Sequence, residues 1–183
     1  NVKNPDVFKA YVSIIYYFLE NEVPKLYFED TFKRKYDPLK HKFAFQSVGN
    51  RIGLSADGKT RLSCIHLGKK KTFKGNYKSC IGNDRYPELF KVLKDMHASC
   101  FPQVEFNQIL INKNNVFKPH VDSNNIKNDT LLFTIGDYKG DIKIEGNEIN
   151  TNMNPILFNG KKLTHSVPGP IRGTRYSLLF YSI

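Results

Sequence analysis

After Phe101 the chain stops offering helices. Seven short strand-like runs follow one another: 104–112, 116–121, 130–135, 142–145, 156–158, 163–167 and 174–181. Between them lie turn clusters such as Asn112-Lys113-Asn114-Asn115, Gly136-Asp137-Tyr138-Lys139-Gly140 and Pro168-Gly169-Pro170. Such residues reverse the chain. Parallel strands need a crossover of a dozen or more residues, usually helical, and no run here has that character. The strands must therefore pair antiparallel, as a sandwich or a barrel. With the upstream strands counted, there are enough for the two sheets of a jelly roll.

The first hundred residues are more mixed. From residue 5 to about residue 20, Val7, Tyr11, Ile14 and Phe18 recur at helical spacing and predict one apolar face, with Pro24 limiting the helix downstream. Residues 27–42 are basic and irregular, with the run Lys33-Arg34-Lys35. Two strands are expected at 43–54 and 61–67, joined as a hairpin by Asp57-Gly58. Gly68 to Lys78 reads as a lysine-rich loop. A second helix is expected from about Pro87 to Ala98, with Asp84 helping to cap it and Leu89, Val92, Leu93 and Met96 as its buried face. No linker or repeat divides the chain. One domain over 1–183 is expected, with 1–100 as a helical and hairpin elaboration and 101–183 as the β core.

His120 and Asp122 stand one residue apart in Lys118-Pro119-His120-Val121-Asp122, His165 lies 45 positions downstream, and Arg175 follows ten residues later. Side chains on a strand alternate faces, so His120 and Asp122 point the same way and Val121 points away. Two imidazoles and one carboxylate can hold iron(II) on one side and leave the other side open. Arg175 and Ser177 share a face of the last strand. A guanidinium pairs bidentately with a carboxylate, and a hydroxyl adds one hydrogen bond. Arg172, in a Gly-rich turn, is the fallback for that role. Taken singly, each histidine reads as an ordinary surface or core residue. The combination, set in strands, points to a metal.

These residues carry a resemblance. From about Phe101 to Ile183 the chain resembles the double-stranded β-helix of the iron(II)/2-oxoglutarate dioxygenase superfamily. It is most similar to the branch of the TET and J-binding-protein oxygenases with their viral and protist relatives. The matching segments are Phe106-Asn107-Gln108-Ile109-Leu110-Ile111-Asn112, His120-x-Asp122-Ser123-Asn124-Asn125, Gly136-Asp137-Tyr138-x-Gly140, Phe158-Asn159-Gly160, His165, and Gly173-Thr174-Arg175-Tyr176-Ser177. The resemblance implies a mainly β (α+β) fold: a double-stranded β-helix (jelly roll) with N-terminal helices packed on one sheet. It implies that His120, Asp122 and His165 bind Fe(II). Arg175 would hold the distal carboxylate of the co-substrate 2-oxoglutarate, with Ser177 beside it and Asn107 assisting from its strand. The implied reaction consumes O2, decarboxylates 2-oxoglutarate to succinate and hydroxylates a C–H bond. Relatives often carry a second glycine where this chain has Asp141, a departure that bears on local substrate contacts.

The substrate is read from charge. A formal charge of +11 attracts polyanions, nucleic acid above all, although such charge can also serve solubility alone. The segment Lys69-Lys70-Lys71-Thr72-Phe73-Lys74-Gly75-Asn76-Tyr77-Lys78 interleaves cations with aromatics, which suits phosphate contacts and base stacking. A plain solvated loop is the alternative. Lys69, Lys70, Lys71 and Asn124 are the candidate substrate contacts. A methylated nucleobase in nucleic acid is the leading substrate class. A protein hydroxylase of the prolyl or lysyl type comes second, and a binding module that lost catalysis comes third.

A rival motif lies upstream. Gly53-Leu54-Ser55-Ala56-Asp57-Gly58-Lys59-Thr60 fits the nucleotide-binding P-loop pattern, with Leu131 to Asp137 as an apolar run ending in an acid. That loop needs a helix after it, and Arg61 to Leu67 alternates like a strand.

Cys64, Cys80 and Cys100 are an odd number without CxxC spacing, which argues against a disulfide framework and for a reducing, intracellular compartment: cytoplasm, nucleus, or a host cell for a viral chain. No apolar run approaches the roughly 18 residues of a membrane span, no signal peptide is evident, and no membrane partner is expected. Asn1 in place of an initiating methionine points to a trimmed chain or a piece of a longer protein.

Overall fold

The computed structural model describes residues 2–23, 29–30, 53–55, 63–127 and 129–183. Helix α1 is Pro5–Tyr17, and a π-helical turn over Phe18–Glu22 continues it. Pro5 suits the first turn, where a missing N–H costs no helical bond. Strands β1 (Glu29–Asp30), β2 (Gly53–Ser55), β3 (Ser63–Lys71) and β4 (Tyr77–Ser79) precede the short helix α2 (Gly82–Arg85) and helix α3 (Pro87–Cys100). Strands β5 (Gln108–Lys113), β6 (Asn115–His120), β7 (Asp129–Ile135), β8 (Tyr138–Lys139) and β9 (Lys143–Ile144) come next. The chain ends with β10 (Asn147–Glu148), β11 (Ile156–Asn159), β12 (His165–Val167), β13 (Arg172–Gly173) and β14 (Tyr176–Tyr181).

The strands form two main antiparallel sheets. The larger runs β1-β3-β5-β14-β7-β11, with β4 added to the far part of β3. The smaller runs β10-β9-β12-β6-β2, and β8 pairs separately with β13. Strand alternation divides the larger sheet between two cores. Tyr176, Leu178 and Phe180 of β14, with Ile109, Ile111, Leu131 and Phe133 beside them, face the helices. The helices answer with Phe8, Val12, Ile15 and Leu19 from the N-terminal helix and Leu89, Leu93, Met96 and Cys100 from α3. On the opposite face Leu132 and Leu179 meet Val116, Phe117, Ile144 and Val167 of the smaller sheet. The result is a mainly β sandwich with its helices on one face.

Most expected strands of the second half are present, with ends shifted by a few residues. The expected helical face was one residue out of phase. Phe8, Val12 and Ile15 are buried, whereas Val7 and Ile14 are 41% and 45% exposed. Apolar residues sit at adjacent positions in this helix, so periodicity alone admits both faces. The aromatic contacts decide, since Phe8 meets Phe101 and Phe133 edge-on, at 5.7 and 5.2 Å. Asp84 does not cap α3. It lies inside α2, and α3 starts after Tyr86 without a side-chain cap bond.

The first expected hairpin is also corrected. β2 pairs with β6, whereas β3 pairs with β1, β4 and β5, so the two runs enter different sheets. The Asp57-Gly58 turn and the basic 31–42 segment lie outside the described residues. The P-loop alternative loses its context, because the next described element after Gly53–Ser55 is the strand β3. The lysine-rich segment is no loop: Lys69, Lys70 and Lys71 pair with Ser79, Lys78 and Tyr77. Phe133 joins the central sheet to the first helix. Phe133→Ala is expected to lower unfolding free energy by about 3–5 kcal/mol, measured by urea denaturation. A change below about 1 kcal/mol would refute that role.

Candidate functional site

β6 and β12 are neighbours, and their register sets His120 directly opposite His165, with an irregularity between His165 and Val167. The two rings lie 4.3 Å apart between centroids. Asp122 stands two residues beyond His120, just past the end of β6. Its N–H donates to the Gly160 carbonyl at 2.8 Å, and its carbonyl accepts from the Asn125 N–H at 3.0 Å. Gly160 leaves little room for a side chain, since a Cβ there would come within 3.0 Å of Asp122 Oδ2.

This packing brings three ligand-type side chains together. Asp122 Oδ1 lies 3.5 Å from His120 Nε2, and Oδ2 lies 3.3 Å from His165 Nε2. The other ring nitrogens face backbone carbonyls: His120 Nδ1 is 2.6 Å from Lys118 O, and His165 Nδ1 is 2.9 Å from Leu163 O. A carbonyl only accepts, so each Nδ1 carries a proton and, in a neutral ring, each Nε2 presents a lone pair. Lone pairs at 3.3–3.5 Å from a carboxylate repel it unless a proton or a cation stands between them. One side of an octahedron with metal–ligand bonds near 2.1 Å has ligand atoms about 3 Å apart. The donor set and spacing therefore fit a divalent metal, and all three ligand atoms lie within 4.8 Å of one another.

Electrostatics agree with that fit. Burial opposes the charge on Asp122, but hydrogen bonds and charge from His165 and His120 outweigh it and hold the carboxyl far below its usual range. Burial likewise pushes the His165 imidazole down, yet Asp122 and the Leu163 carbonyl leave it raised above its ordinary 6.5.

The triad opens on a cavity of about 770 Å³ lined from both sheets. Adjacent strands build one wall in rows. Cys64, Asn112 and Ser177 are partners in one row, and His66, Leu110, Leu179 and Leu132 in the next. Ser177 is buried, and its hydroxyl accepts from Asn112 Nδ2 at 3.2 Å. Arg175, on the same face just before β14, is 2% exposed. Its Nη2 donates to Asp141 Oδ1 at 3.1 Å. Arg172 is exposed on β13.

Asn107 has a different task from the one expected. Its amide donates to the Ile183 carbonyl at 2.9 Å and accepts from the Ile183 N–H at 3.0 Å, so both polar atoms are engaged by Ile183. It stands at the opposite end of the β5/β14 pair from Arg175. Of the candidate substrate contacts, Asn124 and Lys71 line the cavity. Lys69 instead donates to Ser79 Oγ at 3.3 Å, and Lys70 is exposed on the hairpin. Sequence reasoning missed His66 and Tyr181 as cavity residues, and it named Phe73 only within the 69–78 segment. For His66 a signal existed: Cys64 and His66 alternate with Ile65 and Leu67, so the polar set had to face away from the helices. It also missed that Asp141 is the partner of Arg175, because nothing local joins positions 34 residues apart.

No protein-family model matches the chain, and no curated protein matches it. Among solved structures it is similar to one described as NgTET1 in complex with 5mC DNA. The TM-score is 0.51 at 13% identity, over 80% of this chain and 68% of that one. At that identity the likeness is one of fold.

A metal held by this triad would need a neutral His165, so protons would compete with it as pH falls through the raised imidazole value. Asp122 stays ionised across that range and adds no dependence. Cobalt(II) affinity is expected to drop about tenfold from pH 8 to pH 6, read by calorimetric titration. A flat profile would remove His165 from the ligand set.

Proposed function

We propose that this chain is an Fe(II)- and 2-oxoglutarate-dependent dioxygenase with a double-stranded β-helix fold, and that it hydroxylates a methylated nucleobase in nucleic acid. The observation that carries the reading is the facing pair His120 and His165 with Asp122 against both Nε2 atoms, at the wall of a cavity large enough for a small acid and a base. The likeness of fold to NgTET1, a structure containing 5mC DNA, supports it. Bound iron, with 2-oxoglutarate and O2, would supply the oxidant for a C–H bond.

The chain's own residues have definite tasks in this reading. His120, Asp122 and His165 hold the metal, and the carbonyls of Lys118 and Leu163 fix the two tautomers. Arg175 and Ser177 receive the distal carboxylate of the co-substrate. Two features fit that: Ser177 lies on the cavity wall, and Arg175 keeps a buried Nε donor without a hydrogen-bond partner among the described residues. Leu110, Leu132, Phe117 and Leu179 give the cavity apolar walls that keep water from the reaction.

The substrate side is the β3–β4 hairpin. Lys71, Thr72, Phe73 and Gly75 line the cavity, and Phe73 is fully exposed near the tip. Thr72 braces the turn with its N–H on the Asn76 carbonyl at 2.7 Å, and Tyr77 anchors the hairpin to the Ile183 carbonyl at 2.9 Å. An exposed aromatic among Lys69, Lys70, Lys71, Lys74 and Lys78 suits a nucleic-acid backbone with a stacked base. A base in a duplex would have to be turned out of its stack to enter the cavity. Iron(II) and three buried cysteines, none of them in a disulfide, suit a reducing, intracellular setting.

The decisive test is anaerobic addition of iron(II) and 2-oxoglutarate, watching for the absorption band of the metal chelate. The wild type is expected to give it and Asp122→Ala to lose it together with turnover. Full turnover in that variant would refute the site. Succinate release with methylated oligonucleotides against prolyl and lysyl peptides then separates nucleic-acid from protein substrates. In the first case Lys70→Glu/Lys74→Glu should flatten the salt dependence of oligonucleotide binding by about two in log–log slope. Phe73→Ala should weaken binding by about 1–3 kcal/mol. Unchanged binding in both variants would exclude the hairpin as the contact surface.

A further inference from the structure

The guanidinium of Arg175 is already neutralised from within the protein. Asp141 meets it at 3.1 Å, and the two side chains are 2% and 9% exposed. Asp141 is held by more than Arg175. Its Oδ1 accepts from the Ile142 N–H at 2.7 Å and the Thr151 hydroxyl at 2.8 Å, and its Oδ2 accepts from the Thr151 N–H and the Tyr138 hydroxyl, both at 3.0 Å. Burial works against its ionisation, yet the Thr151 and Ile142 donors, together with the Arg175 charge, hold the carboxyl below its ordinary range. The carboxylate is thus fixed in place by four donors besides Arg175. Arg175 is less fully engaged. Its Nε is buried and has no hydrogen-bond partner among the described residues, and its charge lies 5.6 Å from the centre of the Tyr138 ring.

We infer that Asp141 is a specificity-determining residue that competes with the co-substrate's distal carboxylate for Arg175, so that this chain discriminates only modestly between 2-oxo diacids and 2-oxo monoacids. The inference rests on the proposed 2-oxo acid reading of the same site. Its physical basis is charge counting. A lone buried guanidinium gains strongly from an arriving carboxylate, because otherwise it stays unpaired. A guanidinium already matched by Asp141 gains much less. The second carboxylate must share the guanidinium, and it arrives beside a fixed negative charge. A monoacid of similar length forfeits little by lacking that group. Asp141 touches neither metal nor reacting atoms here and acts through Arg175, so its role is positioning and selection.

The test titrates 2-oxoglutarate and 2-oxobutyrate into the iron(II)-loaded protein without oxygen, reading the chelate band. In the wild type the two dissociation constants are expected to differ by less than about tenfold. In Asp141→Asn, 2-oxoglutarate affinity should rise about tenfold or more while 2-oxobutyrate affinity stays within about twofold, so the ratio widens. A merely structural role would move both ligands together. A ratio above about a hundredfold in the wild type, or an unchanged ratio in the variant, overturns the inference. If Asp141→Asn does not fold, the wild-type ratio decides alone. If neither acid gives a chelate band while cobalt(II) still binds, the 2-oxo acid reading itself has failed, a result distinct from a band with a wide wild-type ratio.

Discussion

The antiparallel pairing of β6 with β12 is the contact on which the candidate site depends. It sets His120 opposite His165 across one ladder, and the Gly160 carbonyl then holds the backbone N–H of Asp122 beside both rings. A strand ladder fixes partners to within a fraction of an ångström, because a one-residue slip turns every side chain to the other face. A slip of β12 by one residue would put Ser166 or Thr164 opposite His120. The three ligand-type groups would then never meet. Both sheets, the helices behind the larger one and the turn at 159–163 serve to hold that register.

The same alternation rule gives the sandwich its two faces and gives the cavity its chemistry. On β14, Tyr176, Leu178 and Phe180 go to the helical core, which leaves Ser177 and Leu179 for the cavity. A helical core of large apolar side chains on one side makes the sheet a rigid wall on the other. Polar groups on that wall are then paired with one another, as Asn112 is with Ser177 and Asn115 with Asn112. The Arg175–Asp141 pair continues the pattern: a buried charge is tolerated where a matched charge and hydrogen bonds surround it.

Much of this was legible in the chain. The helix-free succession of short runs after Phe101 required antiparallel sheets, and the His120-x-Asp122 spacing with a distant His165 on another strand identified the cluster that assembles. What misled were local signals with more than one solution. The adjacent apolar residues of the first helix allowed two faces. The strand run ending at Leu54 and the run from Arg61 to Leu67 looked like one hairpin, yet they joined different sheets. Lysine content made Gly68 to Lys78 read as a loop, although its backbone pairs as a hairpin that keeps its cations exposed.

Sequence by itself determined which residue types were available and their period along each strand. Those are local properties of the chain, set by side-chain chemistry and backbone geometry. Only the tertiary structure decided which strands became neighbours and in what register. It therefore decided that His165 faces His120, that Asn107 binds Ile183, and that Asp141 claims Arg175. Each of those choices depends on contacts between residues dozens of positions apart, where the free energy comes from burying two surfaces together and has no trace in either segment alone.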